Sequence, residues 1–143
     1  MKVMRFDPPP WTHLEFPSTF EDARAAEMHI LDACAQWQFE EQDLFDVRMA
    51  LHEALLNAVK HGNKLDPTKR VDVRYKVERG RLEVTIEDQG SGFNPDNVPD
   101  PTADENLERP SGRGILLMRA YMNSVVFNSA GNKVTLTKRA EAC

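Results

Sequence analysis

The sequence has few cysteines and lacks any long apolar run, and both shortages narrow the class of protein. The 143 residues include two cysteines, Cys34 and Cys143, whose positions do not match the spacing of a metal site. No apolar stretch approaches the roughly 20 residues that cross a bilayer. The segment after Met1 lacks the apolar core of a secretory signal. We therefore expect a soluble, cytoplasmic protein in which both cysteines are structural or incidental.

An excess of basic residues is also missing. The chain carries 23 acidic against 18 basic residues, which gives a net charge of -5, and the basic residues are spread along the chain. Binding to nucleic acid needs a basic surface, so we expect no direct nucleic-acid partner and no membrane partner. The length and the 41% hydrophobic content indicate one globular domain, and we expect residues 1–143 to form it.

Three familiar catalytic and nucleotide-binding motifs are absent. His52 and Glu53 begin the zinc-hydrolase pattern H-E-x-x-H, but Leu56 stands where the second histidine is required. No G-x-x-x-x-G-K-[ST] loop occurs, and the pair Gly90 and Gly92 lacks the third glycine of a dinucleotide fingerprint. These absences exclude a zinc hydrolase of that kind, a P-loop enzyme and a dinucleotide-binding fold.

Apolar residues at helical spacing predict three helices. A capping box formed by Ser18 and Glu21 precedes the first, which we expect over residues 19–37. The second is expected over residues 41–61, with Gly62 and Asn63 as its stop signal. A short third helix is expected from Ile115 onward.

Alternating apolar and polar residues predict the strands. Residues 71–77 and 82–86 form one antiparallel hairpin around Arg79 and Gly80, and residues 125–127 and 134–136 form a second. Residues 1–17 are read as an N-terminal extension with a candidate first strand. Helices grouped apart from strands predict an α+β two-layer sandwich, with the helices on one face of a mostly antiparallel sheet. Residues 93–111 have no periodicity and carry four prolines, so we interpret them as a candidate lid.

Three short segments carry candidate chemistry. Glu53 and Asn57 lie one helical turn apart, where a carboxylate and an amide oxygen can orient a hydroxyl and bind Mg²⁺; a solvated helix face is the alternative. Residues 88–92 end a strand with an acidic residue and two glycines, which suits close approach of a ligand or a plain glycine turn. Residues 111–114 precede a helix, where free amides bind phosphate or simply form an entry turn.

The order of these segments resembles the histidine-kinase-like (GHKL) ATPases, specifically the single-domain anti-sigma factor kinases. The run EALLNAVKHGN at residues 53–63 is similar to the N box of that family. The run DQGSGF at residues 88–93 is similar to its first glycine box, and GRGI at residues 112–115 to its second. The resemblance extends over residues 18–138.

The resemblance implies ATP and Mg²⁺ as cofactors. It implies that Asn57 binds the Mg²⁺, that Glu53 is the general base and that Asp88 accepts from the adenine amino group. The remaining site residues that it implies are Gly90 and Gly92, which shape the nucleotide pocket, and Gly112, Arg113 and Gly114, whose amides meet the phosphates.

The resemblance also implies an activity and partners. It implies an ATP-dependent serine/threonine kinase that sequesters a sigma factor and phosphorylates a STAS-type antagonist, and it implies a homodimer. A nucleotide-gated binding module without phosphate transfer remains the alternative. The chain departs from the family at Lys133, where a threonine is usual and Thr135 is a candidate substitute, and at Asn123, where aspartate is frequent.

Overall fold

Six strands form one antiparallel sheet, and three helices pack on one of its faces. This computed structural model describes residues 3–6, 11–92 and 112–140. The elements are β1 (Val3–Phe6), β2 (Thr12–Pro17), α1 (Phe20–Ala35), α2 (Glu41–Leu56), a π-helical turn (Asn57–Gly62), β3 (Arg70–Glu78), β4 (Arg81–Glu87), α3 (Gly112–Tyr121), β5 (Ser124–Phe127) and β6 (Lys133–Arg139). The predicted α+β class and the single helical layer are confirmed.

The sheet order is β1-β2-β3-β4-β6-β5, and every neighbouring pair is antiparallel. The two predicted hairpins are therefore present as β3–β4 and β5–β6. Gly80 turns the first hairpin at a φ of 71°, a left-handed conformation that favours glycine. Because β6 lies between β4 and β5, the turn before β6 is brought beside the end of β4.

The start of α1 differs from the predicted capping box by one residue. Thr19, not Ser18, is the N-cap, and its Oγ1 accepts from the backbone N–H of Asp22 at 3.1 Å. Ser18 instead donates its hydroxyl to the carbonyl of Lys69 at 2.8 Å. The sequence offers a hydroxyl at both positions, and the contact with the loop before β3 decides between them.

The second helix ends as expected near His61, but its last turn is wider than an α-helical turn. Over Asn57–Gly62 the chain is π-helical, and the N–H of Asn63 donates to the carbonyl of Ala58, five residues earlier, at 2.9 Å. Wide turns of this kind recur at functional sites. The periodicity of apolar residues does not distinguish such a turn from an α-helical one.

Alternate strand residues face the helices and form the core with them. α1 contacts β2 and β3, α2 contacts β6, and α3 contacts β5. The largest fully buried side chains belong to Phe16, Leu14, Ile30, Leu51, Leu55, Leu82, Ile86, Met118 and Leu136. One polar pair shares this layer: Lys138 of β6 is buried and donates to Asp46 of α2 at 2.9 Å.

The candidate lid, residues 93–111, lies outside the described residues. Within the described ranges, no helix has the length and apolar character needed to span a membrane.

Candidate functional site

A cavity of about 320 Å³ opens where the π-helical turn, the end of β4 and the β5–β6 turn meet. Its lining comes from all three segments and from α3. The lining residues are Ala54, Asn57, Ala58, His61, Gly62, Lys64, Lys69, Ile86, Asp88, Gly90, Ser91, Gly92, Met118, Phe127, Gly131, Asn132, Lys133 and Val134. Four of the residues selected from the sequence, Asn57, Asp88, Gly90 and Gly92, thus lie around one space.

Asp88 is the acidic residue of this cavity. It follows the last residue of β4, and its Oδ1 accepts from the backbone N–H of Gly90 at 2.8 Å. Burial raises the pKa of Asp88 to about 6, and the hydrogen bond from Gly90 only partly opposes that rise. The result is a partly desolvated carboxyl group held at the wall of the cavity, where it can accept from a bound ligand.

The glycines around Asp88 are required by close backbone approach. A Cβ at Gly62 would overlap the Asp88 carboxylate, and a Cβ at Gly90 would overlap the carbonyl of Gly62. Gly92 has a φ of 81°, and its Cβ would overlap the carbonyl oxygen of Ala130. These three contacts bring the N-box segment, the first glycine segment and the β5–β6 turn together without intervening side chains.

Glu53 and Asn57 meet the start of α3. A Cβ placed on Gly114 would lie 3.0 Å from Glu53 Oε2 and 3.7 Å from Asn57 Nδ2. Asn57 Nδ2 is buried and has no hydrogen-bond partner among the described residues, which is costly unless a ligand supplies one. Glu53 is not among the residues that line the cavity; it lies beside Asn57, against Gly114.

The second glycine segment forms the first turn of α3. Gly112 is the first residue of that helix, and Arg113 is exposed to solvent. Gly114 is the position of this segment at which an added Cβ would reach Glu53 and Asn57. Free amides and the helix dipole favour an anion at such a terminus.

Two asparagines that the sequence did not single out as site residues organise the cavity. Asn63 is fully buried, with Nδ2 donating to Ser18 Oγ at 2.7 Å and to the carbonyl of Arg70 at 3.0 Å. Asn132 lines the cavity and donates from Nδ2 to the carbonyl of Asp88 at 3.1 Å. Asn63 sits directly after the N-box glycine, so its position was visible, but its role depends on residues distant in sequence.

The structure locates Lys133, Thr135 and Asn123, which the sequence analysis noted where the chain departs from the family pattern. Lys133 lines the cavity, and so does Val134. Thr135 points to the opposite face of the sheet, where its Oγ1 lies 3.2 Å from that of Thr85, so the expectation that it substitutes as a base contact is wrong. Strand alternation is the physical reason, because Val134 already faces the helices. Asn123 accepts from the backbone N–H of Arg139 at 2.7 Å and joins the end of α3 to β6.

The chain is similar to known proteins along most of its length. The family model described as histidine kinase-like ATPase domain matches residues 16–138. The anti-sigma F factor of Geobacillus thermodenitrificans is 32% identical over 126 residues, which is 86% of each chain. That of Clostridium perfringens strain SM101 is 32% identical over 125 residues, covering 85% of this chain and 89% of the relative. The serine-protein kinase RsbW of Bacillus licheniformis is 36% identical over 105 residues, which cover 67% of this chain and 64% of the relative.

A solved structure shows the same fold. The structure of the RsbU and RsbW domains of a Mycobacterium tuberculosis protein matches with a TM-score of 0.61 at 18% identity. The match covers 93% of this chain and 32% of that one.

Proposed function

Because the chain belongs to the histidine kinase-like ATPase domain family, we propose that it binds ATP with Mg²⁺ and acts as an anti-sigma factor with serine/threonine kinase activity. One juxtaposition carries the proposal: the partly buried carboxyl group of Asp88 lines the same cavity as Asn57, whose Nδ2 has no hydrogen-bond partner among the described residues. The cavity volume, about 320 Å³, falls in the range of about 300–1,000 Å³ usual for small-ligand sites.

The base of the nucleotide is assigned to the Asp88 end. The exocyclic amino group of adenine is a donor, and the Asp88 carboxylate is an acceptor close to the cavity wall. Guanine presents a carbonyl oxygen at that position, which the carboxylate would repel. We therefore assign adenine selectivity to Asp88.

The phosphates and Mg²⁺ are assigned to the other end, between Asn57 and the start of α3. Asn57 offers an amide oxygen of the kind that Mg²⁺ accepts. Its buried Nδ2, which has no hydrogen-bond partner among the described residues, is a donor suited to a phosphate oxygen. When bound, Mg²⁺ neutralises phosphate charge. Gly112, Arg113 and Gly114 form the first turn of α3, and we assign their amides to the phosphates because a helix N-terminus favours phosphate.

Glu53 is assigned as the general base. Its carboxylate lies against Gly114 and one helical turn from Asn57, next to the end assigned to phosphates. In the proposed transfer, Glu53 takes the proton of a partner hydroxyl while that oxygen bonds to the γ-phosphorus. The bond from the γ-phosphorus to the β–γ bridging oxygen breaks, and ADP leaves.

The proposed partners follow from the relatives. Proteins named anti-sigma F factor are 32% identical across 86% of this chain, and we propose that this chain also holds a sigma factor inactive. The serine-protein kinase among the relatives supports a serine or threonine acceptor, which we propose lies on a STAS-type antagonist. A homodimer is part of the same proposal.

Partner capture followed by transfer tests this function. Tagged protein is incubated with extract of the source cell in ATP, in ADP or without nucleotide, and recovered proteins are then offered γ-labelled ATP. We expect a sigma factor, a STAS-type protein, and label on a serine or threonine of the latter. Nucleotide-dependent capture without any label would favour the nucleotide-gated binding module, and capture of neither partner would contradict the anti-sigma assignment.

A further inference from the structure

The peptide group that joins Asp88 to Gln89 is held at both of its polar atoms by side-chain amides. Asn132 Nδ2 donates to the carbonyl oxygen of Asp88 at 3.1 Å. On the other side, the N–H of Gln89 donates to Asn63 Oδ1 at 2.8 Å. Asn63 follows the π-helical turn and Asn132 precedes β6, and the two side chains meet at one peptide plane. We call Asn63 and Asn132 the amide clamp.

Each member of the amide clamp is itself anchored. Asn63 is 0% exposed, and its Nδ2 is fixed by Ser18 and by the carbonyl of Arg70. The Oδ1 of Asn132 accepts from Asn128 Nδ2 at 2.8 Å, and its backbone carbonyl accepts from the N–H of Asp88 at 2.9 Å. Neither amide is therefore free to rotate without losing further hydrogen bonds.

Fixing this peptide plane, together with the hydrogen bond from the Asp88 N–H to the carbonyl of Asn132, fixes the direction in which the Asp88 side chain leaves the backbone. The carboxyl group then retains only its own side-chain rotations. Gly62 packs directly against it, and the N–H of Gly90 binds its Oδ1 at 2.8 Å, which restricts those rotations too. The orientation of the acceptor in the cavity is thus determined from the backbone outward.

We propose that the amide clamp is a selectivity device, in which Asn63 and Asn132 act as positioning residues that hold the Asp88 carboxylate on the amino group of adenine. This proposal rests on the proposed function, since it requires Asp88 to meet the base. A misplaced carboxylate loses the directional hydrogen bond to the amino group and also its repulsion of a carbonyl at the same ring position. The clamp therefore controls preference between bases more than affinity for the diphosphate.

The test compares ADP with inosine diphosphate, which carries a carbonyl oxygen in place of the amino group. Dissociation constants for both, with Mg²⁺, are measured by calorimetry for the parent and for Asn132→Ala. We expect the parent to prefer ADP and the variant to lose about three- to tenfold of that preference, the value of one hydrogen bond. Asn132 is chosen because it is less buried than Asn63, whose replacement by alanine would leave several buried groups unpaired.

Thr135→Val is the matched control. It removes a side-chain hydrogen bond between β4 and β6, the strands that adjoin Asp88 and Asn132. That bond lies on the face of the sheet opposite the helices. We expect its preference for ADP to equal that of the parent. A second variant, Asn132→Ala combined with Asp88→Asn, shows whether the clamp acts through Asp88, because in that background Asn132→Ala should change the preference no further.

The possible outcomes distinguish failure of the amide-clamp proposal from failure of the assignment of Asp88 to the base. If the parent binds ADP and inosine diphosphate equally, both the assignment of Asp88 and the clamp are overturned. If the parent prefers ADP and Asn132→Ala keeps the full preference, the clamp alone is overturned. It is also overturned if Asn132→Ala lowers the preference equally with and without Asp88, or if Thr135→Val lowers it as much.

Discussion

At the scale of single residues, Asp88 should make the affinity of the cavity for ADP depend on pH. Burial raises the pKa of Asp88 to about 6, so the free protein carries a protonated carboxyl group below that pH. An amino group that donates to the carboxylate favours the ionised form, so binding must release a proton in this range. We predict that ADP affinity rises as the pH increases toward about 6 and is constant above it.

The measurement is the ADP dissociation constant at fixed Mg²⁺ between pH 5 and 8. Asp88→Asn removes the titrating group, so its weaker binding should lose this dependence around pH 6. The stability of the free protein should change in the opposite direction to the ADP affinity. The raised pKa of Asp88 means that the folded state binds more protons than the unfolded state, so Asp88 lowers the free energy of unfolding as the pH rises toward 6. A parent affinity that is flat across pH 6 would remove Asp88 from the base contact.

Replacement by alanine should have different effects at Gly92 and at Gly114. Gly92→Ala puts a Cβ into the carbonyl of Ala130 at a φ of 81°, so we expect a loss of stability of about 1–3 kcal/mol. Gly114→Ala puts a Cβ 3.0 Å from the end of the Glu53 side chain, which can shift by a few tenths of an ångström. We expect Gly114→Ala to fold normally, because that shift is small, and to transfer phosphate more slowly, because Glu53 is displaced. Urea unfolding measures the stability of both variants, and a labelled-phosphate assay measures transfer. Equal loss of stability in both variants would contradict this difference.

Site residues that stand in a recognisable local motif could be predicted from the sequence. Site residues that act through hydrogen bonds to distant parts of the chain could not. Asp88 and the glycines at 90 and 92 follow a strand in a pattern that also suits a plain turn, but their place in the order of three segments predicted a site, and they line the cavity. Asn63 looked like a helix stop, and Asn132 like part of a turn. Their hydrogen bonds connect residues 26 and 44 positions apart, and no local pattern records such distances.

At the scale of elements, α2 is attached to the sheet by a buried ion pair. Lys138 Nζ of β6 donates to Asp46 Oδ2 at 2.9 Å and to the carbonyl of Tyr121, at the end of α3, at 3.2 Å. We predict that Asp46→Ala lowers the free energy of unfolding by about 3–5 kcal/mol, because it leaves the lysine buried without its counter-charge. Lys138→Met keeps the apolar stem, and the carboxylate that it leaves still accepts from Gln42 Nε2 at 2.9 Å, so it should cost less.

Urea unfolding of the two variants checks this order. A cost for Asp46→Ala below that of Lys138→Met would contradict the predicted order. The hairpins and the first two helices were predictable here, since apolar spacing reports burial directly. The third helix begins at Gly112, earlier than the expected start at Ile115, because glycines carry no apolar signal. The π-helical turn was not predictable, because α- and π-helical turns place the same apolar residues on nearly the same face.

At the scale of the whole molecule, the strand order decides where the site forms. Placing β6 between β4 and β5 brings Asn132 and Lys133 beside Asp88. The sequence indicated two hairpins and a single helical layer, but the pairing between hairpins is a long-range choice. The family resemblance supplied what periodicity could not, and the match of the family model over residues 16–138 confirms it.

A nucleotide that binds between these segments must stabilise the whole fold. We predict that Mg-ADP raises the free energy of unfolding by about 2.7 kcal/mol at a hundredfold excess over its dissociation constant. Thermal unfolding with millimolar Mg-ADP checks this, with inosine diphosphate as the weaker ligand for comparison. An unchanged melting temperature would contradict nucleotide binding in the cavity.

The central proposal is that Glu53 is the general base for phosphate transfer to a partner hydroxyl, and the transfer rate of Glu53→Gln tests it most directly. The amide keeps the shape of the carboxylate, so we predict that the dissociation constant for Mg-ADP stays within about twofold of the parent value, while transfer to the captured partner falls by roughly 10² to 10⁴ fold. Asn57→Ala is the contrast, since it should weaken Mg-nucleotide binding itself. Transfer by Glu53→Gln at the parental rate would contradict the account.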